Sequence, residues 1–218
     1  MSANAIELPL FPLNVVLFPG MIIPLHIFEP RYRQMITDCD QQKSPFGMVL
    51  ARPTSIPLWE EPYLVGTMAE IQQLERLEDG RFTLIAFGLQ RFRILSQHRK
   101  KSYLSGWVEL YTDRLEASQD LGVYTRQTGN LFRKYLGMLL EMAKEKQVLA
   151  EIPSEPEELS HFVAQFLDIQ DEQKQQLLEL TSTQQRLKEE IAVLRREVLF
   201  IQQIFSRRTG DEDHSKLN

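Results

Sequence analysis

The four histidines are the first residues to consider for chemistry, and their spacing predicts no metal site. None of them belongs to an H-x-x-x-H or Cys/His pair, whereas a zinc site needs several such ligands close together. A histidine without partner ligands is more often structural or solvated than a ligand. We therefore expect no metal ion at any of them. The positions are His26, His98, His161 and His214.

The carboxylate pairs and the nucleotide-binding patterns predict no catalytic site either. Glu60–Glu61 and Glu189–Glu190 are direct neighbours, so their side chains point in different directions and make poor acid/base pairs. The sequence contains no G-x-x-x-x-G-K-[ST], G-x-G-x-x-G or G-x-S-x-G pattern. The single cysteine, Cys39, lies in a helix-like stretch and is expected to be a small buried residue. We expect no catalytic residue and no cofactor.

The composition is that of a globular chain with no electrostatic signature for nucleic acid. The 218 residues carry a net charge of -5, and 43% of them are hydrophobic. No apolar run is long enough to span a membrane, and one cysteine cannot form an internal disulfide. A cytoplasmic location is therefore expected. The basic residues near position 95 are expected to lie on a solvated strand and turn. They are Arg91, Arg93, Arg99, Lys100 and Lys101.

Short apolar runs separated by turn signals predict a β-rich first half. Asp79-Gly80 predicts a hairpin, because glycine accepts the positive φ that the turn requires. Pro30 predicts the start of a helix. Apolar residues occur in both alternating sets of Phe82–Phe87, so both faces of that strand are expected to be largely covered. Together these elements predict a compact barrel-like β domain. Other predicted strands are Leu10–Phe18, Met21–Ile27, Phe46–Ala51 and Tyr103–Leu110.

The second half has the helical period, and the predicted class is α+β. The change occurs near Asp113–Asp120, after which apolar residues recur every three or four positions. We predict a β-rich pseudo-barrel over 1–115, a helical bundle that ends in a long helix over 116–208, and a disordered tail over 209–218.

The last predicted helix carries apolar residues at alternating steps of four and three. Such a stripe is typical of a two-stranded coiled coil. It is equally typical of a helix that packs on its own domain, and because only about three heptads are present we favour the packed helix. A homodimer paired through this helix stays the alternative. The stripe consists of Leu187, Ile191, Leu194, Val198, Ile201 and Phe205.

An unusually apolar segment opens the chain between Phe11 and Phe28. Most of its large side chains are expected in the core, while some can remain exposed beside the prolines as a docking patch. The residues are Phe11, Val16, Phe18, Met21, Ile22, Ile23, Leu25, Ile27 and Phe28.

Three groups of residues resemble the amino-terminal substrate-recognition domain of Lon-type proteases. Residues 8–32 carry Leu-Pro-Leu-Phe-Pro-Leu, Val-Leu-Phe-Pro-Gly and Ile-Phe-Glu-Pro-Arg-Tyr in succession. Residues 65–94 add Val-Gly-Thr and Gly-Leu-Gln-Arg-Phe-Arg-Ile. In the helical half, Phe-Val-Ala at 162–164 and Lys-Gln-Gln-Leu-Leu-Glu at 174–179 are also similar. The resemblance spans roughly residues 6 to 205.

The resemblance implies a PUA-like pseudo-barrel followed by a helical bundle. It also implies the binding of unfolded or client polypeptides, and an adaptor role beside a protease or chaperone. The ATP-binding loop and the serine peptidase segment of full Lon proteases are missing from this sequence, so a non-enzymatic binding module is expected. We propose Phe28, Glu29, Arg31 and Tyr32 at the barrel-to-helix junction, and Trp59 in the proline-rich loop, as binding residues.

Two other functions stay open at this point. PUA-like barrels can bind RNA, although the acidic balance and the lack of a basic aromatic stripe oppose that alternative. An enzyme of an unrecognised type would require a cluster of perturbed titrating groups that the sequence alone does not reveal.

Overall fold

The computed structural model describes residues 5–53, 61–116, 120–143 and 151–215, with side chains described as far as Ile204. These residues form six strands and five helices, and the fold is α+β as predicted. The strands are β1 (Ile6–Leu13), β2 (Ile22–Ile27), β3 (Phe46–Leu50), β4 (Val65–Arg76), β5 (Phe82–His98) and β6 (Ser105–Leu110). The helices are α1 (Pro30–Gln42), α2 (Leu121–Ala143), α3 (Pro156–Phe166), α4 (Asp171–Glu179) and α5 (Thr183–Ser215).

The strands form one mixed sheet that closes on itself. Their order is β2-β5-β4-β3-β1-β6, and β5 also pairs with β6. β1 runs parallel to β3, and the other pairs are antiparallel. Among the described strands, five therefore close into a barrel, and β2 extends the sheet beyond β5. The predicted barrel-like β domain is confirmed.

The barrel interior is built around the ring of Phe92. This side chain is fully buried, and two neighbouring strands approach it at glycines. A Cβ atom at Gly47 would lie 2.6 Å from the Phe92 ring, and one at Gly66 would lie 2.4 Å from the carbonyl oxygen of Met48. Only glycine permits these approaches without displacement of the backbone. The rest of this core is aliphatic: Leu8, Leu10, Val49, Met68, Ile94, Leu104 and Val108.

Helix α1 covers one face of the sheet. It starts at Pro30, as predicted, and its C-cap residue, Lys43, has a left-handed conformation with φ 48°. Its apolar side packs in one core with Phe82, Leu84 and Ala86 of β5. The helix contributes Tyr32, Met35, Ile36 and Cys39 to this core. The predicted burial of Cys39 is confirmed.

The hairpin between β4 and β5 turns at Gly80, which has φ 80°. The carboxylate of Asp79 accepts a hydrogen bond from the backbone N–H of Arg81 at 3.0 Å. Asp79-Gly80 therefore supplies the turn chemistry that the sequence predicts.

The chain divides into two compact units that interleave along the sequence. The first unit comprises Met1–Arg114 and Ala164–Thr181, and the second comprises Leu115–Val163 and Ser182–Asn218. Helix α4 therefore belongs with the barrel, whereas the contiguous division at 115 and 116 places it with the helices. Helix α5 includes residues 209–215 of the segment predicted as a disordered tail. Residues 216–218 of that segment lie outside the described residues.

Arg91 of β5 holds the α4 segment within the first unit. Its side chain is 2% exposed and forms an ion pair with Asp113. Its guanidinium also donates to the carbonyl oxygens of Leu178 and Leu180, both at 2.7 Å. The prediction that Arg91 belongs to a solvated basic run is therefore wrong, although Arg93, Arg99 and Lys100 of that run are exposed. The cause is a set of acceptors from a segment almost 90 residues later in the chain.

The second unit is a helical bundle with the apolar stripe of α5 in its core. Five residues of that stripe are at most 5% exposed, and α2 packs against α5. The hydroxyl of Ser182 accepts a hydrogen bond from the N–H of Gln185 at 3.0 Å and caps the start of α5. The buried stripe residues are Leu187, Ile191, Leu194, Val198 and Ile201.

Candidate functional site

An exposed, partly apolar surface of the first unit is formed by the outer side of the three strands β2, β5 and β4. We call the nine residues of this grid the outer face. Register pairs Ile22 with Phe87, Pro24 with Ile85 and His26 with Thr83 across β2 and β5. On the other side of β5, Phe87 pairs with Glu70, Ile85 with Gln73 and Thr83 with Glu75. Directly paired residues project from the same face of a sheet, so the nine side chains share one surface.

Apolar side chains dominate the β2 half of the outer face. Ile22 is 59% exposed, Pro24 is exposed, and Ile85 and Phe87 are half-buried. Phe28 follows β2 and is 60% exposed. Its ring centroid lies 6.1 Å from that of His26, so it extends this apolar surface. A shallow depression of about 510 Å³ lies at the end of the outer face that carries Pro24, His26 and Ile85.

The opposite face of β5 is packed against helix α1. Phe82, Leu84 and Ala86 alternate with the outer-face residues and are buried against α1. Because successive side chains of a strand point to opposite faces, burial of this set directs Thr83, Ile85 and Phe87 outward. The outward set is half-buried, so the prediction that both faces of Phe82–Phe87 are largely covered holds fully for the inward set and in part for the outward one.

Strand β2 pairs with β5 alone among the described strands, and Pro24 suits this edge position. The N–H of Gly88 donates to the carbonyl oxygen of Met21 at 2.8 Å. Backbone groups alternate between partner and edge along an antiparallel strand, which places Pro24 among the residues directed to the open edge. Proline lacks the N–H that such an edge would otherwise present to another strand.

The predicted binding residues at the barrel-to-helix junction lie in different environments. Phe28 is next to the outer face. Arg31 forms an ion pair with Glu29 at 2.8 Å, and its guanidinium lies 4.5 Å from the centroid of the Tyr32 ring. Tyr32 is 4% exposed and packs on Phe11 with 4.3 Å between ring centroids. These contacts place Tyr32 in the core and tie Glu29 and Arg31 to the start of α1. Trp59 lies outside the described residues.

The sequence predicts two of the apolar residues of this surface and does not predict its half-buried ones. Ile22 and Phe28 belong to the opening segment in which some residues were expected to form a docking patch. Phe11, Val16, Phe18 and Ile27 of the same segment are buried. Ile85 and Phe87 were not proposed, because the alternation along β5 does not tell which set α1 covers.

Asp38 of α1 forms a polar cluster with Lys101 and Tyr103, which precede β6. The hydroxyl of Tyr103 donates to the carboxylate of Asp38 at 2.6 Å, and Lys101 Nζ donates to both residues. The hydrogen bond from Tyr103 lowers the pKa of Asp38 below its usual range. Burial raises the pKa of Tyr103 to about 12 and that of the Cys39 thiol to about 11. A thiol with a raised pKa is a poor nucleophile at neutral pH.

The second unit contains a buried polar cluster on α5. Arg186 and Glu190 are fully buried. Arg186 Nε donates to the hydroxyl of Ser160 at 2.8 Å. The carboxylate oxygens of Glu190 accept no hydrogen bond among the described residues. Burial raises the pKa of Glu190 well above its usual value, although the charge of Arg186 opposes this shift.

No group of three or more His, Cys, Asp and Glu side chains among the described residues could hold a metal ion. None of the described helices is long and apolar enough to cross a membrane.

The barrel, the helical bundle and the long last helix define a class of domain found at the amino terminus of Lon proteins. A crystal structure of a Lon N-terminal domain protein from Xanthomonas campestris superposes with a TM-score of 0.63 at 26% identity, covering 86% of this chain and 98% of that one. The N-terminal domain of the Mycobacterium avium complex Lon protease has the same fold, with a TM-score of 0.64 at 19% identity over 86% of this chain and 97% of the other.

The chain belongs to the family described as the ATP-dependent protease La (LON) substrate-binding domain, whose model matches residues 7–196. It is 27% identical over 193 residues to a Lon protease of Dictyoglomus thermophilum and 28% identical over 193 residues to one of Anaeromyxobacter dehalogenans. These alignments cover 88% and 87% of this chain but 24% and 23% of the relatives. The chain therefore spans about a quarter of the length of the curated relatives it matches.

Proposed function

We propose that this chain is a polypeptide-binding module that takes up apolar segments of unfolded or unassembled proteins on its outer face. The observation that carries this proposal is the exposure of Ile22 and Phe28, at 59% and 60%, beside Pro24, Ile85 and Phe87. Contiguous exposed apolar residues with a polar rim commonly mark sites of protein interaction. The family description, a substrate-binding domain of a protease, supports the same conclusion.

The outer face has the physical properties that a weak, general polypeptide site requires. A few apolar anchors usually supply most of the energy of such an interface, and complete burial of one large apolar side chain contributes about 1.5–3 kcal/mol. Because the opposite face of β5 is packed against α1, the anchors are held in place before a ligand arrives. A preformed surface loses little conformational entropy on binding.

We further propose that the chain acts as an adaptor. A module that binds client segments without cutting them would present those clients to a protease or chaperone. The sequence lacks the phosphate-binding pattern of an ATPase, which supports a non-enzymatic role. The test is degradation of an unfolded client by a purified Lon-type protease, with and without this chain. An adaptor increases the rate of client loss, whereas a chain that leaves the rate unchanged has no adaptor role in that pair.

A matched pair of variants tests binding at the outer face. Phe28→Ser removes an exposed aromatic ring from the edge of the outer face, and Phe200→Ser removes one of similar exposure (58%) from the second unit. Binding of a fluorescent, chemically denatured client is measured by anisotropy. We expect Phe28→Ser, and similarly Ile22→Ser, to weaken binding about three- to tenfold, as expected for the loss of one partly buried anchor. Equal binding by the Phe28→Ser and Phe200→Ser variants would rule out the outer face as the site.

A further inference from the structure

The outer face is apolar on one side and acidic on the other. Ile22 and Pro24 stand on β2, whereas the paired positions on β4 are Glu70, Gln73 and Glu75. Neighbouring strands lie about 4.8 Å apart, so the β4 residues stand about 10 Å from those of β2. A ligand segment that covers the apolar half therefore has its flanking residues within reach of both carboxylates.

Three arginines near the outer face interact with other residues. Arg81 forms an ion pair with Asp79 at 2.6 Å. Arg76 pairs in register with Phe82 and lies over its ring, on the face of the sheet opposite to the outer face. Arg31 is bound to Glu29. The two acidic residues of the outer face are therefore not neutralised by these arginines.

Glu70 and Glu75 form no ion pair among the described residues. Both are exposed, and the only hydrogen bond of Glu75 there is a long one, 3.4 Å, from the hydroxyl of Thr83. Two unpaired carboxylates beside an apolar surface create a negative potential that favours a cationic partner.

We propose that the outer face selects apolar segments that carry lysine or arginine next to the apolar run. This inference rests on the proposed function, because it specifies which polypeptides the same site prefers. The apolar run covers Ile22, Pro24, Ile85 and Phe87, and the basic residue lies against Glu70 or Glu75. Charge complementarity at the edge of an interface contributes mainly to specificity and to the rate of association.

Three labelled peptides with the same central run of leucine and phenylalanine test the preference, with lysine, serine or glutamate on both sides of the run. Anisotropy gives the Kd of each peptide for the full chain at about 50 mM and about 500 mM salt, since salt screens exposed charges. We expect the lysine-flanked peptide to bind roughly three- to tenfold more tightly than the glutamate-flanked one at low salt, as two exposed pairs can supply. At high salt we expect the Kd values of these two peptides to differ less.

Variants separate the outer-face carboxylates from the overall charge. Glu70→Gln with Glu75→Gln removes the two acidic charges, and Glu141→Gln with Glu189→Gln changes the net charge equally at exposed positions of the second unit. All four substitutions are at exposed sites, and circular dichroism checks that both double variants are folded. The preference for lysine should disappear in the outer-face variant and persist in the control variant.

The outcomes for the two proposals are distinguishable. If the wild-type chain binds all three peptides with the same Kd at low salt, or if the outer-face variant keeps the preference, the charge selection is wrong while polypeptide binding stands. If no peptide binds, polypeptide binding itself fails, and the selection fails with it.

Discussion

The guanidinium of Arg91 donates a hydrogen bond to the backbone carbonyl oxygen of Leu178 at 2.7 Å, across 87 positions of sequence. The C-terminal end of α4 presents carbonyl groups that have no partner within the helix. A buried arginine on β5 satisfies one of them, binds the carbonyl oxygen of Leu180 as well, and is neutralised by Asp113. This interaction explains why α4 is part of the barrel unit although it lies between two helices of the other unit.

Loss of this interaction is expected to destabilise the first unit strongly. Arg91→Met removes one member of the buried ion pair with Asp113, and breaking a buried pair on one side commonly costs about 3–5 kcal/mol. Arg91→Lys should rescue little, because an ammonium group does not reproduce the geometry of the guanidinium. Urea unfolding followed by fluorescence measures the free energy of unfolding. Arg93→Met, at an exposed neighbour on the same strand, is the control, and equal midpoints for the two methionine variants would contradict the role of Arg91.

Because of the buried Glu190, we expect the stability of the second unit to depend on pH. Because burial raises its pKa well above the usual value, the folded state favours the protonated acid. The contribution of the protonated side chain to the free energy of unfolding is fully present below the usual glutamate pKa of about 4.3. It is lost as the pH rises toward the raised pKa. Glu190→Gln should therefore increase the free energy of unfolding at neutral and alkaline pH, by about 1 kcal/mol or more.

The comparison is made by thermal unfolding of wild type and variants from pH 5 to pH 9. Glu189→Gln is the control, since Glu189 is the exposed neighbour on the same helix. Its unfolding temperature should follow that of wild type at each pH. A Glu190→Gln curve parallel to wild type over the whole range would exclude titration of Glu190 in the fold.

Tyr103 predicts a loss of stability at alkaline pH. Its hydroxyl donates to Asp38 at 2.6 Å, and burial with this bond raises its pKa to about 12. The neutral phenol is favoured by folding, so its contribution is present below the usual tyrosine pKa of about 10 and is lost between about pH 10 and 12. Tyr103→Phe should cost about 1–3 kcal/mol at neutral pH, because a hydrogen bond to a charged group is removed.

The stability difference between wild type and Tyr103→Phe should shrink as the pH rises through that window. Urea unfolding at pH 8 and at about pH 11 measures it. Tyr63→Phe is the control, since the hydroxyl of Tyr63 makes no hydrogen bond among the described residues. A difference that stays constant up to the higher pH would show that the Tyr103 hydroxyl does not titrate with unfolding.

The apolar stripe of α5 is expected to stabilise a single chain. Leu194 is fully buried, and Leu194→Ala should cost about 2–5 kcal/mol, as in other buried leucine sites. Leu199→Ala, at a position 60% exposed on the same helix, should change the stability little. Sedimentation velocity at several concentrations should give the same mass for wild type and Leu194→Ala. A dimer in wild type that dissociates in the Leu194→Ala variant would instead support chain pairing through the stripe.

Local chemistry explains which elements the sequence predicts well. The hairpin at Gly80 and the start of α1 at Pro30 each depend on the backbone preference of one residue. The barrel follows from short apolar runs with turn residues between them. The stripe of α5 is equally visible, because its period is a property of the helix itself, although that period does not distinguish packing within one chain from pairing between two.

The elements that the sequence does not predict depend on distant partners. Nothing near Arg91 in the sequence indicates that carbonyl groups of α4 surround it. Along β5, both alternating sets of residues are apolar, and only the position of α1 decides that Leu84 is buried while Ile85 faces outward. Tyr32 was proposed as a binding residue for its type and place, yet its ring packs on Phe11. In each case the sequence does not reveal a contact between residues that are distant along the chain.

The interleaving of the two units also constrains how the chain can be made and shortened. A ribosome has released all six strands once residue 110 has emerged, but the carbonyl groups that accept hydrogen bonds from Arg91 arrive only with residues 178–180. While helices α2 and α3 are synthesised, the guanidinium of Arg91 therefore lacks two of its hydrogen-bond acceptors, and the barrel unit is incomplete. We expect a fragment that stops at residue 114 to be recovered in aggregates, and an expression plasmid for the barrel alone to need residues 164–181 joined through a short linker.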